Sequence, residues 1–285
     1  MQLVKRLIAF VVTAVTVSAA GYALAATGET GQPHPRQLGL QLGATPVMDD
    51  IIWFHNFLLY LIVAIALFVL ALLVIVIVRF NARSNPTPSR TTHNTTIEVI
   101  WTVVPVLILV TIAVPSFRLL FYQLNVPKAD VTVKATGKQW FWSYQYPDSK
   151  FEFDSLMVQE KDLKPGQPRL LSVDNEMVVP VGKIVKVLTT GADVIHSWAV
   201  PSFGVKIDAV PGRVNETWFK AEREGTYYGQ CSELCGRDHA FMPIVVHVVS
   251  EQAYNTWLTD AKKKYASTDD DNTRSTAVAA AGDVK

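Results

Sequence analysis

Four residues that bind soft metals fall within twelve positions of this chain. They are Cys231, Cys235, His239 and Met242, in Gly229-Gln-Cys-Ser-Glu-Leu-Cys-Gly-Arg-Asp-His-Ala-Phe-Met-Pro243. Another histidine, His196, lies upstream in Asp193-Val-Ile-His-Ser-Trp198, expected at the end of a strand. One thiolate, two imidazoles and a weak thioether form the ligand set of a mononuclear blue-copper site, and His196, Cys235, His239 and Met242 would supply it. Cys231 is then a thiolate in excess. Two cysteines four apart could instead bridge two coppers. Each copper would take one imidazole, with Met242 and a backbone carbonyl from between the cysteines in the remaining positions. A copper pair of that kind can spread one electron over both metals, and the set leaves no position open for substrate. It therefore points to electron transfer and not to catalysis. A structural disulfide is the usual fate of such a cysteine pair outside the cytoplasm, but it leaves the nearby His and Met without a purpose. A closed zinc site has no need of Met. Lone packing residues would not gather four soft or borderline ligands in one window, so copper is favoured.

Something must hold this loop and bring His196 to it. After Pro127 the sequence shows short alternating runs: Val131 to Ala135, Trp140 to Tyr146, Ile184 to Leu188, Thr217 to Phe219 and Ile244 to Val249. These read as strands. Turn signals separate them, at Tyr146-Pro-Asp, Lys164-Pro-Gly, Val210-Pro-Gly and Arg223-Glu-Gly. Many short strands at this spacing predict an antiparallel sandwich or barrel. Ser250 is an expected N-cap for a closing helix over Glu251 to Lys264, and residues 266–285 read as a disordered tail.

The first 120 residues differ. Lys5 and Arg6, then an apolar run to Ala20 and Ala23-Leu-Ala25, fit a signal peptide over 1–26. An extracytoplasmic segment, 27–50, follows. Asn56 to Val78 lacks any ionisable residue other than tyrosine, and Val99 to Phe117 is a second apolar run holding Pro105 and Pro115. Each is long enough to cross a bilayer, so 51–122 reads as a transmembrane hairpin. Arg79, Arg83 and Arg90 face a single acid, Glu98, in the loop between them, which places that loop in the cytoplasm and both ends outside. The composition agrees: 49% hydrophobic, 18% charged, net charge +1. It excludes a disordered chain and, lacking a basic excess, a nucleic-acid binder.

The motif Cys231-Ser-Glu-Leu-Cys-Gly-Arg-Asp-His-Ala-Phe-Met with His196-Ser-Trp resembles the binuclear copper A (CuA) site of cytochrome c oxidase subunit II. The resemblance extends to the hairpin, to Gln139-Trp-Phe-Trp-Ser-Tyr144, to Val173-Asp-Asn175 and to Asp208-Ala-Val-Pro-Gly-Arg213, covering roughly residues 45–260. It is nearest to the bacterial aa3-type enzymes. It implies a cupredoxin-like β-sandwich over 126–265.

By position in that motif, His196, Cys231, Cys235, His239 and Met242 would be side-chain copper ligands, and Glu233 would give its carbonyl. The Glu233 carboxylate would reach a magnesium or manganese ion shared with subunit I, a hard ligand for a hard cation. Trp140 would be the point where electrons enter from cytochrome c. Asp174 and Asp193 would belong to the acidic docking surface, whose charge speeds association. Gln145 stands where some relatives carry an acid. Glu98 would mark the mouth of a proton pathway of subunit I. The resemblance thus implies the electron-input subunit of an inner-membrane, oxygen-reducing and proton-pumping oxidase. Its copper domain would be periplasmic, its partners subunits I and III, cytochrome c and membrane lipid. Two rivals have other chemistry. A quinol oxidase subunit II would lack the copper ligands. A membrane-tethered C-x-x-x-C copper chaperone or thiol oxidoreductase would have an α/β thioredoxin-like pattern and no need of Met242.

Overall fold

The computed structural model describes residues 31–265. The expected signal peptide, the first residues of the 27–50 segment and the 266–285 tail lie outside them. Two compact units emerge: 49–125, and 31–48 together with 126–265.

The first unit is helical. Helix α1 runs Pro46–Arg79 and α2 runs Thr95–Leu124. Both exceed the apolar runs by about three turns in all, since flanking residues continue the helix once it is nucleated. Asn94 caps α2: its side chain accepts from the Ile97 N–H at 3.2 Å, and its own N–H donates to Glu98 Oε1 at 3.3 Å. The best windows of α1 and α2 have mean hydropathy 3.7 and 2.5, with none of those residues buried. Helices so apolar on every side have lipid or other membrane helices as their natural surroundings.

The second unit is a sandwich of two five-stranded sheets. One has the order β3-β2-β1-β5-β8, the other β4-β10-β9-β6-β7. The strands are β1 Val131–Lys138, β2 Phe141–Tyr146, β3 Phe151–Ser155, β4 Met177–Pro180 and β5 Ile184–Gly191, then β6 His196–Val200, β7 Val205–Ala209, β8 Asn215–Lys220, β9 Gly225–Cys231 and β10 Pro243–Val249. The antiparallel expectation needs correcting at two places. β1 pairs with β5, and β10 with β4, in parallel. Parallel neighbours cannot be joined by hairpins, so the chain crosses between sheets, as from β4 to β5.

Alternation decides what faces the core. β1 and β5 bury every second residue, placing Val133, Ala135, Val185 and Val187 inside. Trp142, Trp198, Phe203, Phe219 and Tyr227 fill the space between the sheets, with Phe203 and Phe219 centroids 4.5 Å apart. Each such buried side chain contributes on the order of 1.5–3 kcal/mol. Residues before α1 are pinned to the sandwich: the Ala44 N–H donates to Ser202 O at 2.8 Å, and Thr45 Oγ1 donates to Phe203 O at 2.8 Å. The closing helix α3, Glu251–Tyr265, starts as expected, with Ser250 Oγ accepting from the Ala253 N–H at 3.2 Å. It lays Trp257 and Tyr265 against Tyr146, Phe151 and Phe153.

Candidate metal centre

The site starts from strand register. β6 pairs with β9 so that Trp198 lies opposite Cys231 and Ala199 opposite Gln230. His196 and Trp198 share a face of β6, so His196 becomes a diagonal neighbour of Cys231. The expectation that His196 ends a strand is wrong in direction: it opens β6. The two strands approach closely because position 229 is glycine. A Cβ there would stand 2.0 Å from the Ala199 carbonyl oxygen.

Beyond β9 the chain turns through Ser232 to Met242 and folds the remaining candidate ligands back. Cys231 Sγ lies 3.9 Å from Cys235 Sγ and 3.9 Å from His196 Nδ1. Cys235 Sγ lies 3.5 Å from His239 Nδ1 and 3.5 Å from Met242 Sδ. The Glu233 carbonyl oxygen is 3.4 Å from Cys231 Sγ. Both cysteines are free and buried. Their separation is far beyond a disulfide bond of about 2.05 Å. It is short enough for one ion to touch both sulfurs at about 2.3 Å each. Each sulfur thus has its own imidazole nitrogen, and the other two donors, a thioether and a carbonyl, lie beside one sulfur each. This donor set fits a pair of soft metals.

Surrounding groups set the orientation. His196 is fully buried, and its Nε2 bonds Asp193 Oδ1 at 2.8 Å, leaving Nδ1 for the sulfur side. Asp193 Oδ2 accepts from the Gln139 N–H and Oδ1 from the Val194 N–H, each at 2.7 Å. Burial opposes its ionisation, but these hydrogen bonds win and hold the carboxyl below its ordinary value. Burial likewise opposes the imidazolium of His196, and its bonds to Cys231 and Asp193 outweigh that, raising its pKa. The two sulfurs diverge. Burial acts against the Cys231 thiolate, yet hydrogen bonding with His196 and the main chain at Glu233 and Ser197 brings it down to about 7. Burial and the neighbouring Cys231 push Cys235 up to about 12.

The other residues singled out by sequence sit as follows. Trp140, half-buried just before β2, donates from its indole N–H to the Cys235 carbonyl at 3.2 Å. The Glu233 side chain is exposed at the loop surface. Asp174 accepts from the Leu156 and Asn175 N–H groups at 2.7 Å, so its carboxylate is spent partly on tying its loop to the segment after β3. Glu98 belongs to the helical unit, at the α2 cap already described.

Sequence reasoning missed three supporting residues. Gln139 donates from Nε2 to the Cys235 carbonyl at 2.8 Å. Trp142 donates from Nε1 to the Met242 carbonyl at 3.4 Å, its ring edge-on to His196. Gly137 backs His196 so closely that a Cβ would lie 2.7 Å from the imidazole. The Asp193–His196 spacing across a turn could have revealed that hydrogen bond; the roles of Gln139 and Gly137 depend on packing between distant strands.

Comparison with known proteins agrees with this picture. Residues 33–119 match the family described as Cytochrome C oxidase subunit II, transmembrane domain, and residues 131–249 match its periplasmic domain. A probable cytochrome c oxidase subunit 2 of Rickettsia bellii (strain RML369-C) is 54% identical over 233 residues, 81% of this chain and 87% of that protein. The cytochrome c oxidase subunit 2 of Cereibacter sphaeroides is 49% identical over 250 residues, 81% of this chain and 82% of that protein. Among solved structures, the periplasmic domain of subunit II of cytochrome oxidase of Bradyrhizobium japonicum has 66% identity and a TM-score of 0.47, covering 50% of this chain and 99% of that one. With two membrane-type helices, a two-sheet sandwich and these matches along its length, the chain belongs to the cytochrome c oxidase subunit II family, an inner-membrane oxidase subunit with a periplasmic domain that works with the other subunits of its complex.

Proposed function

We propose that this chain is the electron-input subunit of its oxidase: it accepts single electrons from cytochrome c at a binuclear CuA centre and hands them to haem a of subunit I. Oxygen would be reduced to water and protons pumped elsewhere in the complex. The observation that carries the reading is the pair of unbonded sulfurs 3.9 Å apart, each with an imidazole nitrogen within 3.9 Å. His196, Cys231, Cys235, His239, Met242 and the Glu233 carbonyl would hold the two coppers. Bound there, the pair supplies a one-electron carrier whose charge is shared between two metals.

The protein's own contribution is rigidity and access. A buried imidazole fixed by Asp193, and carbonyls held by Gln139, Trp140 and Trp142, keep the donors in place when charge changes. Trp140 reaches from the surface to the Cys235 carbonyl through one hydrogen bond, which suits it to couple a docked donor to the centre. Asp174 and Asp193 would add negative charge to the docking surface. Gln145 contributes none. The exposed Glu233 carboxylate would face a magnesium or manganese ion shared with subunit I, and Glu98 a proton path there. Subunit III and membrane lipid complete the expected surroundings. A tethered C-x-x-x-C chaperone or thiol oxidoreductase finds no support, because its thioredoxin-like α/β fold is not the two-sheet sandwich present here.

The test is metal content with electron paramagnetic resonance on the full chain in detergent, reconstituted with copper. Two coppers per chain and a seven-line pattern from one shared electron are expected. One copper with a four-line pattern would overturn the binuclear assignment.

A further inference from the structure

The helical unit contains a cleft of about 660 Å³ between α1 and α2, bounded by Asp50, Trp53, Phe54 and Phe57 on one side and by Thr111, Val114, Pro115, Arg118 and Leu119 on the other. Its layout follows from the sequence. Asp50 and Arg118 are the first charges beyond the apolar runs of their helices, so both lie at the outer edge of the hydrocarbon layer. From Asp50 to Phe57, and from Arg118 back to Thr111, is seven residues, about 10 Å of helix rise. The cleft therefore descends on both sides from a charged mouth to an apolar floor. Trp53 and Phe57 stack at 5.8 Å and 3°, giving α1 a flat aromatic wall. On α2, Pro115 lacks the N–H that would bind the Thr111 carbonyl, and its ring crowds that carbonyl. Both residues line the cleft, although α2 stays helical through them.

We propose that this cleft binds one phosphatidylethanolamine of the outer leaflet. The Arg118 guanidinium would take the phosphate, the Asp50 carboxylate the primary ammonium, and the Trp53–Phe57 wall the upper part of an acyl chain. Arginine suits phosphate because its fork of donors meets two oxygens at once. Charge selects the headgroup. Asp49 and Asp50 together outweigh Arg118, so the mouth disfavours a lipid with net negative charge and favours a zwitterion. A primary ammonium offers three donors to a carboxylate, whereas a trimethylated choline offers none. Tryptophan at the interface level adds an amphipathic anchor beside the headgroup. The site is independent of the copper reading, since no residue is shared.

The test uses the whole oxidase complex in mild detergent. It is equilibrated with equal amounts of phosphatidylethanolamine, phosphatidylcholine and phosphatidylglycerol bearing matched acyl chains, and bound lipid is counted by native mass spectrometry. Lipid held elsewhere cancels in the difference between wild-type and variant complexes. Two exposed charge contacts, each worth roughly two- to threefold, lead to an expected preference of about fivefold for phosphatidylethanolamine at this site. Asp50→Asn should turn that preference toward phosphatidylglycerol, by leaving Arg118 less opposed. Arg118→Gln should lower occupancy by both headgroups, and Arg118→Lys should retain most of it if the Gln complex does not assemble. Equal counts in wild type and Asp50→Asn would overturn the proposal. So would phosphatidylcholine binding as well as phosphatidylethanolamine, or Thr111→Cys cross-linking to a helix of another subunit that fills the cleft.

Discussion

One half of the candidate metal centre is built on paired strands and the other on a loop. His196 opens β6 and Cys231 closes β9, and the ladder between those strands fixes both. Cys235, His239 and Met242 lie on the loop before β10, His239 in a single 3-10 turn. Three side chains from one short segment hold this second half: Gln139, Trp140 and Trp142, bonded to the carbonyls of Cys235 and Met242. The strand half thus depends on the packing of the whole sandwich, and the loop half on a few bonds to the segment that carries Trp140. Damage to the first should cost folding and metal together. Damage to the second should cost metal while the sandwich stands.

The largest effect should come from the sulfurs themselves. Cys231→Ser removes the shared ligand of the strand half but leaves Cys235, His239 and Met242 together, a set that can still hold one copper. Cys235→Ser leaves His196 and Cys231 with only the Glu233 carbonyl. Both variants should lose the two-copper signal. The first should keep close to one copper per chain with a four-line spectrum, the second much less. Equal residual copper in both would erase the distinction between the halves.

The two glycines behind the centre sharpen it next. Gly137→Ala would press a methyl group to 2.7 Å from the His196 ring, where a β-strand and a fully buried imidazole leave no slack. Overpacking of this kind costs about 1–3 kcal/mol. It should lower the thermal midpoint of the copper-free chain as well as its copper content. Gly236→Ala acts on the loop half, at a φ of +125° with Trp140 only 3.0 Å from the new Cβ. That strain is worth on the order of 1–3 kcal/mol locally. Because the loop can yield, the midpoint should move less than in Gly137→Ala while copper still falls. Asp193→Asn is milder again. It keeps an acceptor for His196 Nε2 but removes the charge and the oxygen that met the Gln139 N–H, and should weaken copper binding by about 10- to 100-fold with a midpoint loss smaller than that of Gly137→Ala. Competition against a copper chelator reads it directly.

Much of this centre could be read in the sequence because metal ligands are chemically conspicuous and four of them are close together. His196 lies 35 positions before Cys231, and only the count of donors a copper site needs, together with the resemblance, attaches it. What escaped was whatever depends on contact between distant strands. Asp193 was expected on a docking surface, and the structure engages it on His196, because only the ring's orientation reveals that bond. Gln139 and Gly137 are ordinary residues until β1 and β2 are laid beside the loop. In the fold, β9 was missed because Gly225 and Gly229 look like strand breakers, yet the second is what admits the Ala199 carbonyl. β7 was missed because Lys206 and Asp208 stand in so short a run, and β4 because it ends in Pro180. The helices were the opposite case. Length and polarity alone outline α1 and α2, but the cleft between them depends on which faces meet.

The smallest effect concerns protons, and it sets the two sulfurs against each other without any mutation. In the copper-free chain the Cys231 thiol is drawn down to about 7 and the Cys235 thiol pushed up to about 12. Both must be thiolates to hold metal, so every proton still present has to leave on loading. Above about pH 8 Cys231 has already lost its proton, and copper should displace a single thiol proton, that of Cys235. As pH falls through about 7 the proton on Cys231 returns, and a second should be released on loading. Apparent copper affinity should therefore climb with pH throughout, more steeply below about 7 than above it. The linked effect on folding has the opposite sign for the two thiols. The depressed Cys231 value adds stability that grows as pH rises from about 7 toward the ordinary thiol value of 9.0 and is lost on acidification. The raised Cys235 value costs stability as pH climbs from 9.0 toward about 12. The copper-free chain should then be most stable near pH 9 as far as these two groups decide it. Proton release measured with a pH indicator in weak buffer during copper addition checks the first statement, and thermal midpoints across the same range check the second. Two thiol protons released at about pH 8.5 would mean that strand and loop hold their sulfurs alike, and the contrast between the halves would fail at its finest point.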